Sequence, residues 1–132
     1  MRGIEFRGKI VGAEGFVYGK LLAPLASGNA YIAYDINEVR SFVYISRSEK
    51  VDPETVGQYT GLKDKYGKKI FEGDICWEEH NECYGVVKFE DAKFLYLWEN
   101  IAEDLWEVAD GIEICGNIHE NLELLEGTVN EK

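Results

Sequence analysis

Residues 51–75, which read VDPETVGQYTGLKDKYGKKIFEGDI, decide the fold of this chain. The stretch opens with a helix-start signature, because Asp52 can accept a hydrogen bond from free backbone N–H groups and the proline after it suits a first helical position. Gly57 stops the helix almost at once, so we expect a single turn that forms a corner. This corner is the best boundary in the chain, and it predicts domains at residues 1–57 and 58–132.

Two turn sequences follow the corner. Residues 64–68 read DKYGK, a tight turn in which the glycine is free to take a positive φ. Residues 72–74 read EGD, where the glycine permits a bend and the aspartate accepts hydrogen bonds from local N–H groups. The predicted structural turn residues are Asp64, Gly67, Glu72, Gly73 and Asp74. The competing interpretation of Glu72 and Asp74 is a Mg²⁺ or acid–base site, because paired carboxylates serve both purposes.

Strand patterns dominate the rest of the sequence. Aromatic and β-branched residues are concentrated in residues 15–22, 30–34 and 41–46, with a turn predicted at 35–38. Further segments with strand patterns are 69–71, 74–77, 84–89, 93–98, 105–108 and 112–115. Short strands at regular spacing with almost no helix predict a mostly β protein, either a small barrel or a sandwich.

Composition and charge restrict the classes of function. Apolar residues make up 45% of the 132 residues, which is enough to build a core. The net charge is −11, and residues 76–132 hold three lysines against fifteen carboxylates, a field that repels polyphosphates and favours a basic partner. An odd cysteine count, no signal-like N-terminus and no apolar run of about 20 residues predict a cytoplasmic protein without a membrane span.

A cluster of metal-ligand residue types lies at Cys76, His80 and Cys83. Two thiolates and an imidazole at this spacing could bind zinc, with Cys115 or His119 as a fourth ligand. The usual paired knuckles are missing, however, and Cys76 lies in an apolar strand, where a thiol packs as a small hydrophobe. No third group is placed to orient the histidine as a catalytic base. We therefore expect no metal site and no cofactor.

An aromatic and basic cluster occupies residues 58–69. Such a combination can hold a strand of nucleic acid, since bases stack on aromatic rings and lysines attract phosphates. The candidate binding residues are Gln58, Tyr59, Thr60, Lys63, Lys65, Lys68 and Lys69. The same lysines suit a solvent-exposed loop, and the acidic remainder of the chain disfavours nucleic acid.

Residues 51–75 resemble the hallmark segment of YopX-like phage and prophage proteins. Supporting similarity lies in residues 4–9, 15–21 and 114–125. The resemblance implies a small SH3-like barrel in the C-terminal half, an N-terminal β subdomain before it, and very little helix. It also implies a phage or prophage origin and a bacterial cytoplasm, and it implies no established activity.

Three functions remain in competition. The first is a non-enzymatic protein-binding or accessory module, because no phosphate-binding loop, nucleophile elbow, zinc-protease helix or dinucleotide fingerprint occurs in the sequence. Its partner would be an unknown protein, for which the acidic residues 76–132 favour a basic one, or a second copy of the chain. The alternatives are a nucleic-acid-associated small-barrel protein and a metal-dependent hydrolase that uses Glu72 and Asp74.

Overall fold

The computed structural model describes residues 4–23 and 25–129, which are mostly β, as the sequence predicts. The strands are β1 (Phe6–Lys9), β2 (Phe16–Leu22), β3 (Ala30–Val39), β4 (Phe42–Val51), β5 (Gly57–Lys63), β6 (Lys69–Phe71), β7 (Asp74–Glu78), β8 (Cys83–Glu90), β9 (Lys93–Trp98), β10 (Ile101–Asp104) and β11 (Ile112–Asn117). The two helices are α1 (Leu105–Val108) and α2 (Glu123–Val129). Neither of these described helices has the length and apolarity needed to cross a bilayer. The chain divides into two compact units, Met1–Gln58 and Tyr59–Lys132.

The first unit is an antiparallel sheet in the order β4-β3-β2-β1, followed by the start of β5. Its core consists of three buried residues, Ala30, Ile32 and Val51, and of the partly buried side chains of Phe6, Val17, Leu21 and Val56. The corner predicted after Asp52 is a 3₁₀ turn over Pro53–Thr55, and the Asp52 carboxylate accepts the N–H of Glu54 at 3.1 Å. This cap satisfies an N–H that the short turn leaves free.

The second unit holds a five-stranded antiparallel sheet in the order β10-β9-β8-β7-β11, and the β5–β6 pair. Its core is a cluster of seven buried residues: Ile70, Cys76, Val87, Tyr96, Leu105, Ala109 and Ile112. Tyr96 has no exposed surface, and its hydroxyl donates to the carbonyl of Cys76 at 2.9 Å. The ring lies over Gly85, whose lack of a side chain leaves room for it.

The SH3-like barrel expected in the C-terminal half is not confirmed, because the sheet is open. Strands β10 and β11 are its two outer strands, and the described residues contain no ladder that joins them. The chain between them forms α1 and a 3₁₀ turn over Ala109–Gly111 instead of the predicted strand at 105–108. Leu105 and Ala109 are buried four residues apart, which is a helical period, while Trp106 between them is exposed.

The turn predicted at residues 35–38 is wrong. Strand β3 runs through these residues, and the chain reverses at Arg40 and Ser41. Aspartate, asparagine and glutamate are common in turns, but here Asn37 donates to the carboxylate of Asp35 at 3.4 Å and the strand continues. The hairpin of β3 and β4 is therefore longer than the sequence indicates.

Candidate functional site

The β3–β4 hairpin extends beyond the strand that supports it, and we call residues 34–47 the arm. Strand β2 pairs with β3 only between Tyr31 and Ala33. Beyond Ala33 the strand order of the described residues gives the hairpin no third strand, and its ladder continues to the pair of Val39 and Phe42. A two-stranded ribbon is marginally stable by itself in water. The arm is therefore a segment that a partner would stabilise.

Both faces of the arm carry large apolar side chains, beside Glu38 on one face and Asn37 on the other. Directly opposite residues of an antiparallel pair share a face, and neighbours along a strand alternate between faces. One face carries Ile36, Val43 and Ile45, and the other carries Val39, Phe42 and Tyr44. All six are exposed, with Phe42 at 74% and Val43 at 66%. An ordinary surface hairpin has one apolar face that packs and one polar face that is solvated, so two exposed apolar faces indicate an interaction surface.

Polar side chains connect the two strands of the arm. Asn37 donates from Nδ2 to the hydroxyl of Ser46, and the Arg47 guanidinium lies 3.8 Å from the Asp35 carboxylate. The ion pair is exposed on both sides, so it contributes less than about 1 kcal/mol. The backbone ladder and these contacts define the hairpin, which leaves the apolar side chains available to another molecule.

Several candidate binding residues in the 58–69 segment have contacts inside the chain. The hydroxyl of Thr60 donates to the carbonyl of Ile70 at 2.9 Å. The Lys65 amine lies 3.4 Å from the Glu79 carboxylate, and the Lys69 amine lies 5.3 Å from the ring centroid of Tyr59. The remaining lysines of the set, Lys63 and Lys68, are exposed, and Gln58 lies in the first unit. These internal contacts weaken the case for a nucleic-acid surface.

Asp64 is a buried carboxylate that organises the turn at residues 64–68. One of its oxygens accepts the N–H groups of Tyr66 and Lys68, both at 2.9 Å, and the other accepts the N–H of Ile114 at 3.0 Å. Burial acts to raise the pKa of Asp64, but these three N–H groups and the charge of Lys68 outweigh it and hold the pKa below 3.8. Gly67, with a φ of +83°, completes the turn. The carboxylate therefore joins the turn to β11.

Gly73 and Asp74 form the second turn. Gly73 has a φ of +97°, donates its N–H to Val87 at 2.8 Å and accepts the N–H of Ile118 at 2.9 Å. The Asp74 side chain is only 2% exposed and accepts the N–H of Phe71 at 2.8 Å. A carboxylate so deeply buried cannot contact a substrate from solvent, which favours the structural interpretation over the catalytic one.

The Asp74→Ala variant is expected to lower the free energy of unfolding by about 0.5–2 kcal/mol, because the N–H of Phe71 loses an acceptor. Asp74→Asn should lose much less, since an amide oxygen accepts the same hydrogen bond. Thermal melts of the two variants beside the wild type measure the difference. Two variants that both melt like the wild type would return Glu72 and Asp74 to the list of candidate active-site groups.

The cysteines and histidines do not converge. Cys76 and Cys83 are buried, whereas His80 is exposed in the turn between β7 and β8. Burial raises the pKa of Cys83, and the Glu78 carboxylate raises it further, so its thiol stays protonated at neutral pH. Within residues 4–23 and 25–129, no three His, Cys, Asp or Glu side chains form a group that could hold a metal ion.

A cavity of about 350 Å³ opens on the second unit. Its lining residues are Thr60, Leu62, Lys93, Phe94, Asp104, Leu105 and Trp106. Lys93 and Asp104 form an ion pair at 3.0 Å, and Trp106 is 68% exposed. The cavity was not predicted from the sequence, because its lining residues come from segments that are distant along the chain.

Two antiparallel sheets of short strands, with neither closed into a barrel, define a small all-β protein. The chain belongs to the YopX family: the family model described as YopX protein matches residues 5–126, which is nearly the whole chain.

The fold also occurs in a solved structure. The crystal structure of protein EF1440 from Enterococcus faecalis is similar with a TM-score of 0.68 and 23% sequence identity, over 92% of this chain and 97% of that chain. At this identity the likeness shows the fold alone. A comparison with curated proteins gives no match.

Proposed function

We propose that this protein is a non-enzymatic protein-binding module that contacts its partner through the arm. One observation carries the proposal, the exposure of large apolar side chains on both faces of the arm. The residues concerned are Tyr34, Ile36, Val39, Phe42, Val43, Tyr44 and Ile45. Single exposed hydrophobic residues are normal on a monomer, whereas several large ones grouped in one hairpin mark an interaction site.

The chemistry of the arm suits a partner that supplies a strand and apolar side chains. Strand β4 is the last strand in its sheet order, so its outer backbone groups can accept an added strand. Phe42 at the tip is a large aromatic side chain, and such side chains bury much apolar area when they enter an interface. The acidic residues 76–132 would steer a basic partner toward the molecule before contact.

The two competing functions have weaker support. The hydrolase hypothesis needs Asp74 to reach a substrate or metal ion, but its side chain is 2% exposed and binds the backbone of Phe71. The nucleic-acid hypothesis needs a basic surface, but Lys65 is paired with Glu79 and residues 76–132 are strongly acidic.

The test compares Phe42→Ala with Tyr66→Ala. Both side chains are aromatic, lie at or beside turns and are similarly exposed, at 74% and 72%, but only Phe42 belongs to the arm. Tagged wild type and both variants are used to isolate proteins from a bacterial lysate at low salt, the setting that the family resemblance implies. Quantitative mass spectrometry then compares the proteins recovered.

We expect at least one protein to be recovered roughly tenfold less with Phe42→Ala and equally with Tyr66→Ala, because loss of a buried aromatic contact costs more than about 1.4 kcal/mol. Calorimetric titration of that protein, purified, against the wild type and both variants should reproduce the difference. If no recovered protein distinguishes Phe42→Ala from Tyr66→Ala, the arm does not bind a different protein.

A further inference from the structure

We propose that the arm of one chain binds the arm of a second copy, with β4 paired edge to edge around a two-fold axis. This inference rests on the proposed function, because it takes the arm as the contact surface and names its occupant. The observations that support it are the open edge of β4, the neutral charge of the arm and the large apolar side chains that the arm exposes.

The edge of β4 lacks the protection that natural edge strands usually have. Proteins protect open edges with charged side chains, prolines or bulges that prevent pairing with another chain. Residues 42–46 read FVYIS and contain neither a charge nor a proline, and their ladder with β3 is regular from Ile45 to Phe42. The outer side of this segment is a template for an added strand.

The charge of the arm favours a second copy over a charged partner. The arm contains Asp35 and Glu38 against Arg40 and Arg47, so its net charge is zero. The chain as a whole carries −11, and two copies repel each other wherever their acidic surfaces approach. This repulsion is weakest when the two copies meet through their neutral arms. A basic partner would instead be attracted to residues 76–132.

Pairing of two β4 edges gives a closed arrangement with two-fold symmetry. An antiparallel strand pair formed by two copies of β4 is isologous, so each copy uses its own β4 edge and that edge is closed to a third copy. A two-fold axis normal to the sheet keeps like faces together, and the face with Val43 and Ile45 continues across the pair.

The experiment measures the mass of the purified full-length chain in solution by sedimentation velocity and light scattering, at about 1–100 µM. Ile45→Lys is compared with Ile101→Lys, because both isoleucines lie on outer strands and their exposures are 45% and 43%. The wild type and Ile101→Lys should be dimers. Ile45→Lys should be a monomer, with a dissociation constant raised roughly 100-fold or more, since the two-fold axis brings two lysines into one interface.

A mixing experiment tests the two-fold pairing. Val43→Lys and Val43→Glu should each be monomeric alone and should form a one-to-one dimer when mixed, because the axis places opposite charges near each other. Circular dichroism verifies that all variants are folded. A mixture that stays monomeric, a monomeric wild type at 100 µM, or open-ended aggregates in place of a dimer overturns the proposal.

The same variants separate this inference from the proposed function. A monomeric wild type whose binding to a different protein is lost in Phe42→Ala leaves the proposed function standing and overturns self-association. If Ile45→Lys disrupts a dimer and no other protein binds through the arm, self-association is supported and a separate partner is contradicted.

Discussion

The Gly85→Ala variant should lose about 3 kcal/mol or more of its free energy of unfolding, with a fall of roughly 10 °C in melting temperature. A methyl carbon at this position would lie 2.6 Å from Cε1 and 2.8 Å from the hydroxyl oxygen of Tyr96. The tyrosine cannot move aside cheaply, because it is fully buried and donates a hydrogen bond to Cys76. Chemical denaturation and thermal melts measure the loss.

The Gly111→Ala variant is the matched control for Gly85→Ala. Nothing lies within 4 Å of the methyl group that it adds, and its backbone is outside the positive-φ region, so its stability should change by less than about 0.5 kcal/mol. Combining Gly85→Ala with Tyr96→Leu should cost less than the sum of the two single changes, because the smaller side chain removes the collision. Additive losses would show that the ring is not the cause.

The Asp64→Ala variant should lose about 2–4 kcal/mol, because three backbone N–H groups lose a charged acceptor at once. The free energy of unfolding of Asp64→Asn should lie between those of the wild type and Asp64→Ala. Its single oxygen can still accept the N–H groups of Tyr66 and Lys68, but its NH₂ group would face the N–H of Ile114, and two donors repel. Asp52→Ala is the control, since that exposed cap has a single side-chain hydrogen bond in the described contacts and should cost at most about 1 kcal/mol.

The contribution of Asp64 should also depend on pH. Its pKa in the folded protein lies below 3.8, so the unfolded chain binds a proton more readily than the folded one. The stabilisation from the carboxylate is therefore complete above pH 3.8 and is lost as the pH falls through the lower, folded-state pKa. Denaturation of the wild type and Asp64→Asn between about pH 2 and pH 6 should give stability curves that converge at the acidic end. If the stability curves of the wild type and Asp64→Asn stay parallel over this pH range, the charge of Asp64 does not stabilise the fold.

The family and the mostly β class could be predicted from the sequence because they depend on local signals. The corner after Asp52 is decided by neighbours along the chain, and the resemblance to the family lies mainly in a segment of 25 residues within the residues 5–126 that the family model matches. The open sheet could not be predicted in this way, since closure depends on which distant strands pair. Residues 105–108 show why: LWEV is short and apolar enough to resemble a strand, but it forms a helix whose Leu105 packs in the core with Ala109.

The candidate site was missed for two physical reasons. Asp35 and Asn37 resemble turn residues, so the hairpin was predicted to end before the exposed part of β3 begins. The aromatic and β-branched run from Phe42 to Ile45 resembles a buried strand, and only the structure shows that nothing in the sheet order covers it. The available signal was the presence of aromatic and β-branched residues on both sides of Arg40 and Ser41, which favours a long hairpin.

The bonds made by β11 set an order of events when the chain folds. The carboxylate of Asp64 meets the N–H of Ile114 fifty residues later, and the N–H of Lys65 meets the carbonyl of Ile112. A turn can close on its neighbours within microseconds, whereas contacts across such a separation require a long loop to close first. During synthesis on the ribosome, the turn at 64–68 therefore emerges before Ile114 is present, and water occupies the second carboxylate oxygen of Asp64 until then. The second unit reaches its native state only after β11 has left the exit tunnel.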